Sequence, residues 1–241
     1  NGEMVMCIGK MKKFKRASVE YKASGAKAIF YRQLLEYKKE KWFIFSYMTL
    51  FCIGADILFL KVIDVSEFGS KSAVLLGIVA YLSILTGGYL GKWDKELKNP
   101  YLFLLPDSPA KKMWYATVME HVKAAIDGAI LVLPLGIAWK VHPFHMVSCW
   151  LIYVFLQAIK LYTKVLIDSF LRNSLGETVK QLVRLGVQGG IIGIGVLLAV
   201  VAVVLQNFNF AFFVILIYGM IMAVVIGLLT VSRFAIMEQY D

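Results

Sequence analysis

Residues 185–205 read LGVQGGIIGIGVLLAVVAVVL, a run with no charged side chain. At a helical rise of 1.5 Å per residue this run is about 31 Å long, close to the roughly 30 Å hydrocarbon core of a bilayer. A helix that is apolar on every face has no stable place in water unless it is wholly buried, whereas in lipid it satisfies its own backbone. Five further runs of comparable length lie outward from it, at 42–62, 73–91, 121–139, 144–162 and 210–232. The expected fold is therefore an all-α polytopic membrane protein with six transmembrane helices.

The composition agrees. Of 241 residues, 59% are hydrophobic and 17% charged. A soluble domain carries about 25% charged residues because its surface must be wetted, so ordinary soluble enzymes are excluded. The net charge of +10 does not point to nucleic acid, because its placement follows the apolar runs. Of the 26 Lys and Arg, 23 lie before residue 42, around the second and fourth connections and in the tail, and only Lys61, Lys71 and Lys140 lie on the alternate side. Cationic loops stay cytoplasmic, which puts both termini in the cytoplasm. Cys7, Cys52 and Cys149 are too few and too scattered for a disulfide framework and read as structural. The chain opens at Asn1, with no signal peptide ahead of its first apolar run, and reads as part of a longer polypeptide.

Three segments stand out from the spans. Residues 1–25 form a basic cytoplasmic linker. In 26–41, Ile29, Phe30, Leu34 and Tyr37 recur at helical spacing with Lys27, Arg32, Lys38 and Lys39 between them. That pattern predicts an amphipathic helix in the inner interface, an elbow leading directly into the six-helix domain of 42–241. The connection at about 92–108 holds Trp93, Glu96, Leu97, Pro100, Tyr101 and Leu105, an apolar cytoplasmic run cut by prolines into pieces too short to span. Such runs mark interaction sites. After it, Ser108 and Pro109 read as an N-cap and first helical position, opening a helix expected to run to Trp139, with Trp114 and Tyr115 at headgroup level and a kink at Pro134. The fourth helix is expected to run on to about Arg172, pairing Lys164 with Asp168 at i,i+4.

The sequence holds little that could carry catalysis. His142 and His145 have H-x-x-H spacing but no third ligand, so no metal site is expected. The stretch from Gly87 to Lys92 resembles a phosphate loop only superficially, since its spacing is one residue short and Trp93 stands where Ser or Thr is required. No catalytic or cofactor-binding residues are expected in this chain, which reads as a non-enzyme. The intramembrane carboxylates Asp56 and Asp127 are candidates for a translocation path, because ionisable groups at membrane depth face a cavity or a partner. Packing glue is their other reading. The fifth span carries Gly186, Gly189, Gly190, Gly193 and Gly195 at spacings that let another helix approach closely.

Two stretches carry a family resemblance. One is Gly25-Ala26-Lys27-Ala28-Ile29-Phe30-Tyr31-Arg32-Gln33-Leu34-Leu35-Glu36-Tyr37-Lys38. The other is Glu96-Leu97 with Pro100-Tyr101, Leu104-Leu105-Pro106 and Ser108-Pro109. With six spans and an entry helix, they resemble a permease half of an ABC-2-type transporter, and more specifically the putative ABC exporter family of mostly Gram-positive bacteria. The resemblance implies a bacterial cell membrane, a C-terminal six-span half that works with a second such half, and a separate ABC ATPase subunit carrying ATP and Mg. It also implies that this ATPase docks on Trp93, Glu96, Leu97, Pro100, Tyr101 and Leu105, with membrane lipids around the elbow. The residues themselves leave open a secondary transporter coupled through Asp56 and Asp127, or a membrane enzyme, which would need a third metal ligand or a carboxylate cluster.

Overall fold

The computed structural model describes residues 25–39, 45, 47–65, 70–85, 104–170 and 176–240. These residues form seven helices and no strand: α1 (Lys27–Lys39), α2 (Tyr47–Val62), α3 (Lys71–Leu85), α4 (Pro109–Ala138), α5 (Pro143–Phe170), α6 (Glu177–Leu205) and α7 (Phe208–Tyr240). Four of them are long and apolar enough to cross a membrane: α4, α5, α6 from Thr178 and α7 as far as Ala235. α2 and α3, with 16 and 15 residues, cover only about 24 and 22 Å at helical rise, and parts of the expected first two spans, 42–44 and 86–91, lie outside the described residues. The structure thus carries four of the six expected spans at full length.

α4 begins where the sequence placed it. Ser108 has extended backbone angles (φ −67°, ψ 145°) and Pro109 takes the first helical position, yet the Ser108 side chain makes no capping hydrogen bond. The helix runs unbroken through Pro134 to Ala138. α5 reaches Phe170, but Asp168 pairs with Arg184 of α6 instead of forming the expected pair with Lys164, tying the end of α5 to the start of α6.

Packing divides the bundle into two apolar layers. Leu75, Val79, Leu131, Leu135, Ile152 and Phe212 join α3, α4, α5 and α7 in one; Met113, Ile159, Val165, Ile191, Ala223 and Ile226 form the other. The outer faces of α6 and α7 stay apolar, with Leu197, Val204 and Leu228 at 67%, 79% and 65% exposure. Exposed Leu and Val at this density cost little only where the solvent is lipid.

α1 lies along the first turns of α4. Ile29, Gln33 and Tyr37 form its buried face, while Phe30 and Leu34 are half-buried. Gln33 Nε2 donates to the Ala116 carbonyl at 2.8 Å, and Tyr37 donates to Glu120 Oε1 at 3.1 Å. The entry to α1 turns at Gly25, whose φ of +63° suits only glycine without strain. The Ala26 N–H then donates to Asp107 Oδ2 at 2.9 Å. That bond, with the Lys111 ammonium 3.5 Å away, holds the Asp107 carboxyl below the usual carboxylate range.

A buried polar seam as the candidate functional site

Three helices turn polar stripes toward one another. On α2, Thr49, Cys52 and Asp56 follow spacings of three and four residues and are 2%, 2% and 5% exposed. On α4, Glu120, Lys123 and Asp127 repeat that spacing, with Lys123 and Asp127 buried. On α5, Tyr153, Gln157, Lys160 and Lys164 follow spacings of four, three and four, with Tyr153 and Lys164 buried. Residues three and four apart share a helix face, so each stripe is continuous.

The stripes are joined by hydrogen bonds and charge. Thr49 Oγ1 donates to Asp127 Oδ1 at 2.6 Å, linking α2 to α4. The Tyr153 side chain of α5 lies close to Cys52 of α2 and to Gln157 on its own helix. Lys160 Nζ donates to Gln157 Oε1 at 3.3 Å. Lys123 lies within electrostatic reach of Asp127 and Lys160, and Glu120 within reach of both. Asp56 Oδ1 is buried and accepts no hydrogen bond from the described residues. Beside Lys160 a void of about 10 Å³, also lined by Ser83 and Gln188, has room for about one water.

Counted at about 1.5 Å per residue from the helix ends at the α4–α5 turn, these groups form a ladder through the bundle. Asp56 lies about 9 Å in, Cys52 and Tyr153 about 15 Å, Thr49 and Asp127 about 18 to 20 Å, and Lys123, Lys160 and Glu120 about 24 to 28 Å. The seam therefore runs from the half of the bundle near the α4–α5 turn toward the end where α4 begins, and it holds ionisable groups of both signs. Burying ions is costly unless each is compensated, and at membrane depth such groups mark substrate or ion paths.

Local packing makes the seam possible. A Cβ on Gly128 would lie 2.6 Å from Tyr153 Cδ1 and 3.2 Å from Trp150 Cδ1, so only glycine lets the α5 rings press on the α4 backbone beside Asp127. Trp150 Nε1 fixes that crossing by donating to the Ala125 carbonyl at 2.8 Å.

Of the residues singled out from sequence, Asp56 and Asp127 belong to this seam, and α1 reaches its lower end through Tyr37. Trp93, Glu96, Leu97, Pro100 and Tyr101 lie outside the described residues. Leu105 packs half-buried against Ala26, Ile29, Ala116 and Phe234, leaving its neighbour Leu104 exposed. Sequence reasoning missed Thr49, Lys123, Tyr153, Gln157 and Lys160. The signal was there in the recurrence of polar residues at spacings of three and four within apolar helices.

The described residues thus form an α-helical bundle with four helices long and apolar enough to cross a membrane and a buried polar seam between three of its helices. The chain matches the family described as putative ABC exporter over residues 1–238 and belongs to it. No curated protein and no solved structure gives a match to the chain.

Proposed function

We propose that the chain is the membrane-spanning permease half of an ABC-2-type exporter, built from six spans and an interfacial elbow helix. It moves its substrate when a separate ATPase subunit, which holds ATP and Mg, hydrolyses nucleotide, and a second six-span half completes the path. It sits in a bacterial cell membrane with its termini cytoplasmic. The observation that carries this reading is the polar seam, a ladder of buried ionisable groups that costs stability and therefore has a use beyond packing.

Two features support the remaining parts. The end of the insert is fastened to the bundle, Leu105 against α1, α4 and α7 and Asp107 to Ala26. A push on residues 92–104 would thus reach α4, which carries Lys123 and Asp127. On α6, Cβ atoms built at Gly186, Gly189, Gly190 and Gly193 would meet nothing within 4 Å, a small-residue face suited to a helix of the second half.

The test is purification of the tagged chain from its native membrane in mild detergent. An ATPase is expected to accompany the wild type, and its retention should fall about tenfold in the Leu97→Ala/Tyr101→Ala double mutant with membrane insertion unchanged, since buried anchors each contribute about 1 to 4 kcal/mol. A well-inserted wild-type chain that retains no ATPase would overturn the reading in favour of a secondary transporter coupled through Asp56 and Asp127.

A further inference from the structure

The two buried carboxyls of the seam are not held alike. Asp127 accepts the Thr49 hydroxyl at 2.6 Å and has Lys123 within electrostatic reach. Asp56 is 5% exposed, and its Oδ1 is buried with no hydrogen-bond donor. Among the described residues no Lys, Arg or His is paired with it. Its neighbours on α2 explain the isolation: Ala55, Phe59 and Ile63 pack against the apolar layer of Leu131, Leu135 and Ile152, so the turn that carries Asp56 is set among hydrocarbon side chains.

The ionisable groups on the helices of that layer do not supply the missing charge. Lys123 and the lysines of α5 lie about 15 Å or more further along the seam at helical rise, and Lys123 acts on Asp127 and Lys160. His145 engages both ring nitrogens, with Ser72 Oγ at 2.8 Å and Asn209 Oδ1 at 2.9 Å. Lys61, Asp64, Lys71 and Lys140, at the end of the bundle nearest Asp56, are exposed. Cys52, Cys149 and the tyrosines of α3, α5 and α7 carry no positive charge in either protonation state.

An ionised carboxylate in such a place costs far more than a neutral acid, and a buried group without a partner neutralises instead. A metal ion would compensate the charge too, but it needs a cage of several ligands. Among the described residues no three of His, Cys, Asp and Glu come together to hold one. We propose that Asp56 is a proton-binding site, a neutral acid in the packed bundle, while Asp127 stays the charged partner of Lys123. The seam then binds a proton in addition to what it transports. This does not rest on the exporter reading, and its test uses neither ATP nor an ATPase, so either can fail while the other stands.

The experiment uses the full chain in nanodiscs at neutral pH and has two readouts. Infrared spectra are expected to show the carbonyl band of a protonated carboxylic acid, losing one carboxyl's intensity in Asp56→Asn and none in Asp127→Asn. The second readout is labelling by dicyclohexylcarbodiimide, an apolar reagent that reacts with the protonated acid. The carboxyl proton passes to one carbodiimide nitrogen, its oxygen bonds to the central carbon, and the acyl group then migrates to the other nitrogen. Nothing leaves, and the peptide gains the whole mass of the reagent. Peptide mapping of the wild-type chain, which needs no variant to fold, should find Asp56 labelled about tenfold faster than Asp127, the ratio that one pKa unit between them gives. Either the band loss or the labelling ratio supports the site. Unchanged acid intensity in Asp56→Asn together with equal labelling of the two aspartates would overturn it. Protection of Asp56 by sodium or potassium chloride, with none by choline chloride, would mean a metal-cation site and overturn it as well.

Discussion

Asp127→Ala is expected to lower the yield of folded protein sharply, whereas Asp127→Asn should fold normally and fail to transport. Thr49 donates to Asp127 at 2.6 Å in a site where both side chains are almost fully buried. Alanine removes the acceptor and the carboxylate facing Lys123 together, and breaking a buried charged pair by deleting one partner costs about 3 to 5 kcal/mol. Asparagine keeps an oxygen for Thr49 at nearly the same position and removes only the charge. If the seam is a path, that charge orders Lys123 and Lys160, and coupled turnover should fall about tenfold, equivalent to about 1.4 kcal/mol. Gel filtration after heating measures the first effect and ATP-driven turnover the second. Wild-type turnover in Asp127→Asn would reduce the seam to helix packing.

A second large effect is expected at Gly128. Its Cβ would meet the rings of Tyr153 and Trp150, and Tyr153 is itself 3% exposed while Trp150 is tied to the Ala125 carbonyl. An aromatic ring held on several sides cannot move aside locally, so the α4–α5 crossing must open. Overpacking of this kind costs about 1 to 3 kcal/mol for alanine, and valine should prevent folding. Gly136 is the internal control. There the Cβ would lie 2.8 Å from Met146 Cε and Cγ, within a flexible side chain, so Gly136→Ala should cost much less. Melting both alanine variants in the same detergent checks this, and equal losses would mean that the Gly128 contact does not set the crossing.

What could be read from the sequence follows from which forces act along one chain. The apolar runs of α4 to α7 were plain, because a span is a property of consecutive residues. Pro109 announced the start of α4 for the same reason. Contacts between helices were not legible. Gln33 had no reading of its own in the amphipathic pattern, yet it donates to the Ala116 carbonyl and is 1% exposed. Lys123 and Lys160 counted as cytoplasmic charge for orientation, but the bundle draws them toward Glu120, Asp127 and Gln157. Asp168 seemed destined for Lys164 four residues earlier, and instead the chain returns at α6 to bring Arg184 beside it. Asp56 and Asp127 were found because a carboxylate in an apolar run stands out. Tyr153 and Gln157 were not, because a tyrosine or glutamine there is unremarkable until a facing stripe is seen.

The central claim is that this chain turns ATP hydrolysis on another subunit into movement through its own helices. The most direct measurement is vanadate-sensitive ATP hydrolysis in proteoliposomes holding the co-purified complex, compared with the ATPase alone and with the Asp127→Asn complex. The account predicts hydrolysis well above that of the isolated ATPase with the wild-type chain, falling back toward it with Asp127→Asn while the complex stays assembled. Hydrolysis at the same rate with the chain, without it and with the variant would contradict it.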